Sequence, residues 1–271
     1  MDLKKRYGFY GNMIIAIFVL AIILPLLTIL VWVFTERWAW PSLIPQVFSL
    51  RAVEAIFRDR EELIRIFSSS VGISLVVAFC SVVIGIMTAR AIEGYEFFGK
   101  KAFSFLALLP FLVPGTVFAM GIQVFFIRMG LSGTVLGVII VHLICSLPYA
   151  VILIQEGTRA LGMGLEEQAK VLGARPFQAF WKVTLPNLVP VMLSAFSMSY
   201  IVSFSQYFLT LMIGGGRVKT FSIVMVPYLS GGQRNFASVY SLIFLSITIV
   251  IFGLFEWLVS RFTKEQEVEY Y

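Results

Sequence analysis

Long apolar stretches alternate along this chain with short polar ones. Six runs of 18 or more mainly apolar residues fall at about 12–34, 67–89, 102–127, 134–155, 187–213 and 237–260. Each is long enough to cross a hydrocarbon core of roughly 30 Å as a helix. The interval 35–66 changes to a helical period: Val53, Ile56, Phe57, Leu63, Ile64 and Phe67 recur at three- and four-residue steps, with Arg58, Asp59, Arg60, Glu61 and Glu62 between them. That spacing predicts an amphipathic helix over 47–67, lying on the membrane surface or packed on the ends of the spans, with a contact for an external partner as the alternative.

The interval 156–186 is the other informative one. Gly164 suits a helix cap, Glu166 and Glu167 suit the positive end of the helix, and Leu165, Ala169 and Leu172 share one face. Gly173 is expected to end that helix, and Pro176, needing no N–H in a first turn, to open a second. Phe177, Phe180 and Trp181 give the second helix a large apolar surface, and Leu185-Pro186 is expected to stop it at the membrane. The pattern predicts a short, stiff helix-turn-helix knob with one apolar side, the kind of surface that takes a protein partner.

Composition agrees with the apolar runs. Hydrophobic side chains make up 59% of 271 residues, charged ones 13%, and the mean hydropathy is +0.92. The expected fold is an all-α integral membrane protein of six transmembrane helices, one domain over 1–271, with no room for a soluble catalytic domain. The first run follows Lys4, Lys5 and Arg6, as in a signal peptide, but its apolar core is too long and no small-residue cleavage site follows, so a permanent span is expected. With both termini in the cytoplasm, the inner segments hold 12 of the 21 Lys and Arg; five of the other nine lie in 35–66, balanced by five acids. A net charge of +6 is ordinary for basic inner loops and does not argue for nucleic acid. Cys80 and Cys145 both fall inside spans, so no disulfide framework or CxxC metal site is implied.

Catalytic chemistry is poorly supplied. The chain has one histidine, no HExxH and no GxSxG, so no catalytic residue, metal site or cofactor is expected. A passive channel or a structural membrane scaffold needs no such chemistry and is one alternative for this chain.

Glu167-Gln168-Ala169, three residues, Gly173, nine residues, then Val183-Thr184-Leu185-Pro186 resembles the EAA loop of binding-protein-dependent ABC importer permeases, EAA-x3-G-x9-I-x-LP. Gln168 and Val183 are the departures. "SSSVGISLVVA", "LLPFLVPGTVFAMGI" and "HLICSLPYAVIL" also resemble the family, so the likeness extends over most of the chain. It implies a methionine-permease-like fold in a bacterial inner membrane and a cytoplasmic coupling helix inserted in a groove on an ATPase. Glu167, Ala169, Gly173, Phe177, Phe180, Leu185 and Pro186 would be its docking and shaping residues. The implied partners are a cytoplasmic ATPase dimer, a second permease subunit, either homologue or self, and an extracytoplasmic solute-binding protein. Within the family the chain looks closest to polyamine, thiamine, ferric-ion and phosphonate permeases, although Ser205 and Gln206 stand where polyamine permeases tend to carry acids.

A route for solute has fewer markers. Pro110, Pro114, Gly115 and Gly121 loosen the third run and predict a kink. Ser199, Ser203, Gln206 and Tyr207 lie at i, i+4, i+7 and i+8 of the fifth, one polar seam that reads equally as a pathway or as a helix-packing stripe. His142 and Gln123 are expected to be satisfied by neighbouring helices, and Glu256 by an interfacial position.

Leu229-Ser230-Gly231-Gly232-Gln233 matches the signature of ABC ATPases, yet the phosphate loop that should accompany it is missing. "GGGRVKT" lacks both glycines of G-x4-G-K-[ST], Ile213 and Val218 standing in their places. The glycines are expected to form a turn leading into the sixth run.

Overall fold

The computed structural model describes the backbone of residues 3–268 and the side chains of 12–261. Both chain ends, assigned above to the cytoplasm, lie outside the described residues, as do the side chains of Lys4, Lys5 and Arg6. The chain divides into two compact units, 1–64 with 225–246, and 65–224 with 247–271.

In the first unit, α1 (Leu3–Val33) is apolar on every face over Asn12–Val33, and its most apolar window buries no side chain. Such a helix requires lipid as its solvent. It leads into a small antiparallel hairpin, β1 (Thr35–Arg37) with β2 (Val47–Phe48). Buried Thr35 donates its hydroxyl to the Val31 carbonyl at 2.8 Å, satisfying an acceptor that the helix end leaves open. Trp38 donates to the Ser42 carbonyl at 2.8 Å and stands 5.2 Å from the ring of Trp32.

The single amphipathic helix expected over 47–67 is corrected. A separate helix α2 covers only Arg51–Arg58, burying Ala52 and Ile56, and the next helix, α3 (Arg60–Gly94), starts afresh. The break falls at Asp59, whose carboxylate accepts the Glu62 N–H at 3.2 Å. Aspartate competes for nearby backbone groups and is worth about 1 kcal/mol more as a cap than within a helix, so the cap overrides the apolar period.

Between α11 (Phe221–Ser230) and α12 (Arg234–Val268) the chain turns at Gly231 and Gly232. Gly231 N–H donates to the Pro227 carbonyl at 2.8 Å, and Tyr228 stacks on Phe236 and on Tyr240. The stretch 229–233 therefore closes a helix, whereas an ATPase signature opens one towards a phosphate.

The second unit is built on α6 (Val135–Leu161) and α9 (Leu185–Phe204). They pack closely: a Cβ added to Gly157 would come within 2.9 Å of the Val191 methyls, so only glycine permits this approach. Ala150, Ile154 and Ala195 are buried in the seam together with Val82 and Ala89 of α3. Thr134 caps α6, accepting the Gly137 N–H at 3.0 Å and donating to the Leu131 carbonyl at 2.7 Å.

The third apolar run is two helices, α4 (Lys100–Leu112) and α5 (Gly115–Arg128), inclined by 107° at Val113-Pro114. The expected kink is a break. Proline disfavours the helical conformation for the residue before it, and Val113 is extended at φ −94°, ψ 125°. Among the described residues, five helices are long and apolar enough to cross a membrane, or six with this bent pair taken as one span. The protein is thus an all-α integral membrane protein with one small hairpin.

Candidate functional site

The loop after α6 folds as a knob. Helix α7 (Gly164–Val171) ends at Gly173, whose φ of +90° is a conformation that side-chain-bearing residues rarely adopt. Helix α8 (Pro176–Ala179) opens with Pro176 in its first turn, and the Gln178 side chain accepts the Arg175 N–H at 3.1 Å.

Leu185-Pro186 does not stop the second helix, which corrects the expected end of the knob. From α8 the chain widens into a π segment, Phe180–Thr184, and runs on into α9, so Pro176–Phe204 forms one 29-residue rod. Pro186 has no N–H to return to the carbonyl four residues earlier, and its ring would crowd that carbonyl. The wider turn absorbs both effects. Asn187 donates its side-chain amide to the Val183 carbonyl at 2.7 Å, satisfying a group within the widened turn.

Glu166, expected only to suit the positive end of α7, locks this loop to the bundle. Glu166 is buried, and it accepts two hydrogen bonds from Arg90 of α3 at 3.0 and 3.2 Å, one from the Thr184 hydroxyl at 2.9 Å, and an ion pair from Lys170 at 3.1 Å. Burial by itself would raise the Glu166 pKa, but the hydrogen bonds from Arg90, Thr184 and Lys170 outweigh it and hold the carboxyl down at about 2. The Arg90 guanidinium also lies over the Phe180 ring, 4.3 Å from its centre. One turn further along α3, Glu93 accepts from Gln155 at 2.7 Å and from Arg159 at 2.9 Å, both on α6. Arg90 and Glu93 stand three apart at the end of an apolar run, a spacing visible in the sequence, whereas their partners 62 to 76 residues away are not.

The sequence-selected residues separate by exposure. Glu167 is exposed and Ala169 half-buried. Phe177 is 72% exposed and Trp181 52%, while Phe180 is half-buried under Arg90. Val171 and Leu172, not chosen as site residues, are the most exposed apolar side chains of the knob, at 87% and 88%. Leu185 is half-buried and Pro186 exposed.

The polar seam of the fifth run is also corrected. Helix α9 ends at Phe204, and α10 (Phe208–Gly214) begins after a break, so Gln206 and Tyr207 leave the register of Ser199 and Ser203. Ser199 and Ser203 are buried, and Ser203 bonds His142 Nδ1 at 2.9 Å. His142 Nε2 bonds Thr210 Oγ1 at 2.8 Å, and Thr210 donates its proton to the Gln206 carbonyl at 2.9 Å. Thr210 must then accept from Nε2–H, and in the neutral imidazole Nδ1 accepts from the Ser203 hydroxyl. His142 thus ties the two sides of the helix break, and Gln123 donates to the Met212 carbonyl at 3.4 Å, so neighbouring helices satisfy both groups as expected.

Gln206 instead lines a cavity of about 370 Å³ with Gly115 and Thr116 of α5. A second, of about 510 Å³, is lined by Ser194, Ser197 and Met198 of α9 and by Glu256 of α12. Pro114 makes the turn between α4 and α5; it lines neither cavity, nor do Tyr207, Ser199 and Ser203. No group of three or more metal-ligating side chains occurs among the described residues.

Residues 81–264 match the family model described as "binding-protein-dependent transport system inner membrane component". The chain is 27% identical over 203 residues to a probable sulfate transport system permease protein of Prototheca wickerhamii, covering 69% of this chain and 80% of that protein. It is 28% identical over 221 residues to the trehalose transport system permease protein of Mycobacterium tuberculosis, covering 79% of each. A putrescine transport system permease protein of Escherichia coli is 21% identical over 211 residues, 74% of this chain and 75% of that one. The crystal structure of a bacterial ABC transporter involved in alginate import superposes with a TM-score of 0.65 at 16% identity, covering 96% of this chain and 97% of that chain, and so shares the fold. The family match covers the end of α3, all of α4 to α11 with the whole knob, and most of α12: this chain belongs to the inner membrane components of binding-protein-dependent transport systems, as a non-catalytic permease subunit of an ABC importer for a solute.

Proposed function

We propose that residues 162–184 are the coupling loop through which a separate cytoplasmic ATPase drives this permease. The observation that carries the reading is a rigid knob whose outer side is apolar: Val171, Leu172, Phe177 and Trp181 are exposed, while Glu166 fastens the inner side to α3 and to the root of α9. Exposed apolar side chains on a braced element suit a protein groove. A push on such a knob moves the 29-residue rod Pro176–Phe204 as a body, because helix continues from α8 to Phe204. Glu167, Ala169 and Gly173 keep the docking and shaping roles implied by the EAA spacing, and the knob faces the cytoplasm with both chain ends.

On this reading, two permease chains, copies or homologues, stand over an ATPase dimer and receive solute from an extracytoplasmic binding protein. The pathway is lined by Gly115 and Gln206 at the two helix breaks, where unwound backbone is tolerated because it borders a cavity. Ser199 and Ser203 serve helix packing. Relatives named for sulfate, trehalose and putrescine span anion, sugar and cation. Among the described residues Glu256 is the only charged one lining either cavity, and a carboxylate favours the cationic members of the expected group, polyamine, thiamine or ferric ion, over a phosphonate. A channel or scaffold has no use for the braced apolar knob.

The test is uptake in membrane vesicles with and without the partner ATPase, using the solute that the binding protein retains. Uptake is expected to require the ATPase and ATP. Equal uptake without either contradicts the reading.

A further inference from the structure

The two cavities meet at one pair of side chains. The larger, about 510 Å³, holds Ser194, Met198 and Glu256; the smaller, about 370 Å³, holds Gly115, Cys145 and Gln206. Phe111 of α4 and Tyr149 of α6 line both, and no other residue is shared. Their rings meet edge to face, with centres 4.7 Å apart and planes at 77°. The two rings therefore stand where the chambers adjoin.

The two rings are anchored differently. Tyr149 lies mid-way along α6 between buried Pro148 and Ala150, in the helix that packs tightest on α9. Phe111 is exposed, on a helix with no buried residue, three positions before Pro114 and the 107° break. A small rotation at that break swings Phe111 while Tyr149 stays in place. The contact is a single aromatic edge, with no hydrogen bond or ion pair to break.

We propose that Phe111 and Tyr149 form the gate of the pathway, a moving leaf against a fixed post, which closes the Gln206 chamber from the Ser194 chamber by an apolar constriction. This rests on the pathway reading above. Two rings in contact leave no room for a hydrated solute, so the closed pair excludes it. Opening requires only that α4 turn about Val113-Pro114.

Accessibility of introduced cysteines tests the gate without knowledge of the solute. The full chain, with its partner subunits and with Cys80 and Cys145 replaced by Ala, carries either Gln206→Cys or Ser194→Cys. Each is exposed, on either face of sealed vesicles, to the membrane-impermeant thiol reagent methanethiosulfonate ethyltrimethylammonium, and labelling is read by mass. With both rings present, Gln206→Cys is expected to react from one face and Ser194→Cys only from the other. Phe111→Ala with Tyr149→Ala should let the reagent reach Ser194→Cys from the Gln206 face at least tenfold faster. Tyr149→Leu, which removes the ring but keeps apolar bulk in α6, should open the same route if the double variant fails to fold.

Ser194→Cys that stays sealed from the Gln206 face after ring removal, while Gln206→Cys still reacts, overturns the gate alone. Ser194→Cys that reacts from both faces with the rings intact does the same. Gln206→Cys that reacts from neither face removes the pathway reading and the gate with it.

Discussion

Arg90 grips Glu166 with both terminal nitrogens, at 3.0 and 3.2 Å, joining α3 to a loop 76 residues later in the chain. With Thr184 and Lys170 on the same carboxylate, this one buried acid holds three elements together. Removing it strands a guanidinium that is itself only 19% exposed. Breaking a buried pair from one side costs about 3–5 kcal/mol, and partial exposure of Arg90 moves the expectation to the lower end. Glu166→Ala should therefore lower the thermal midpoint of the purified chain by several degrees. Glu167→Ala, on an exposed side chain one position later, should leave it within the scatter of surface substitutions.

The pH dependence follows from the same carboxylate. Its folded pKa, about 2, lies below its ordinary value of 4.5, so an unfolded loop takes up a proton before the folded one does. The stabilisation is fully present above about 4.5 and is lost as pH falls towards 2. Limited proteolysis of the loop should be constant from pH 7 to 5 and quicken below about 4.5, provided an acid-active protease is used in that range. Glu166→Gln should flatten the profile.

Gly173 gives a cleaner backbone test. Its φ is +90°, and nothing lies within 4 Å of an added Cβ, so any loss on Gly173→Ala comes from conformation and not from a clash. The expected cost is roughly 1–2 kcal/mol. Gly173→Asn should cost less and Gly173→Val more, as measured by thermal midpoint and by retention of the partner ATPase.

His142 bridges the α9–α10 break, so His142→Leu leaves the Ser203 hydroxyl without its acceptor and Thr210 without its donor. The expected loss is about 1–3 kcal/mol. Adding Ser203→Ala should recover part of it, since a missing hydroxyl needs no partner. Full additivity of the two substitutions in a denaturation experiment would contradict the bridge.

The apolar runs made the membrane class and the helix positions legible, and the glycine and proline spacing of 162–186 made the knob legible. What failed was local. At Asp59 a cap overrides an apolar period, and at Pro186 a π turn absorbs a proline that usually stops a helix. At Ser205–Tyr207 the helix gives way inside a run long enough to be one helix, because the hydroxyls of Ser222 and Thr210 satisfy the Phe204 and Gln206 carbonyls left open at the break. Glu166 was visible as an acid in a first turn, but its partners come from three elements. A single sequence shows a helical neighbour at i+4, such as Lys170, and conceals Arg90.

Docking of an ATPase on the exposed side of the knob is the central claim, and co-purification of that ATPase with a Phe177→Glu variant tests it most directly. Phe177 is 72% exposed, so the substitution should leave the thermal midpoint of the chain alone unchanged. A carboxylate pressed into an apolar groove should nevertheless strip the ATPase from the complex. An ATPase retained in full stoichiometry by Phe177→Glu, and again by Leu172→Glu, would contradict the account.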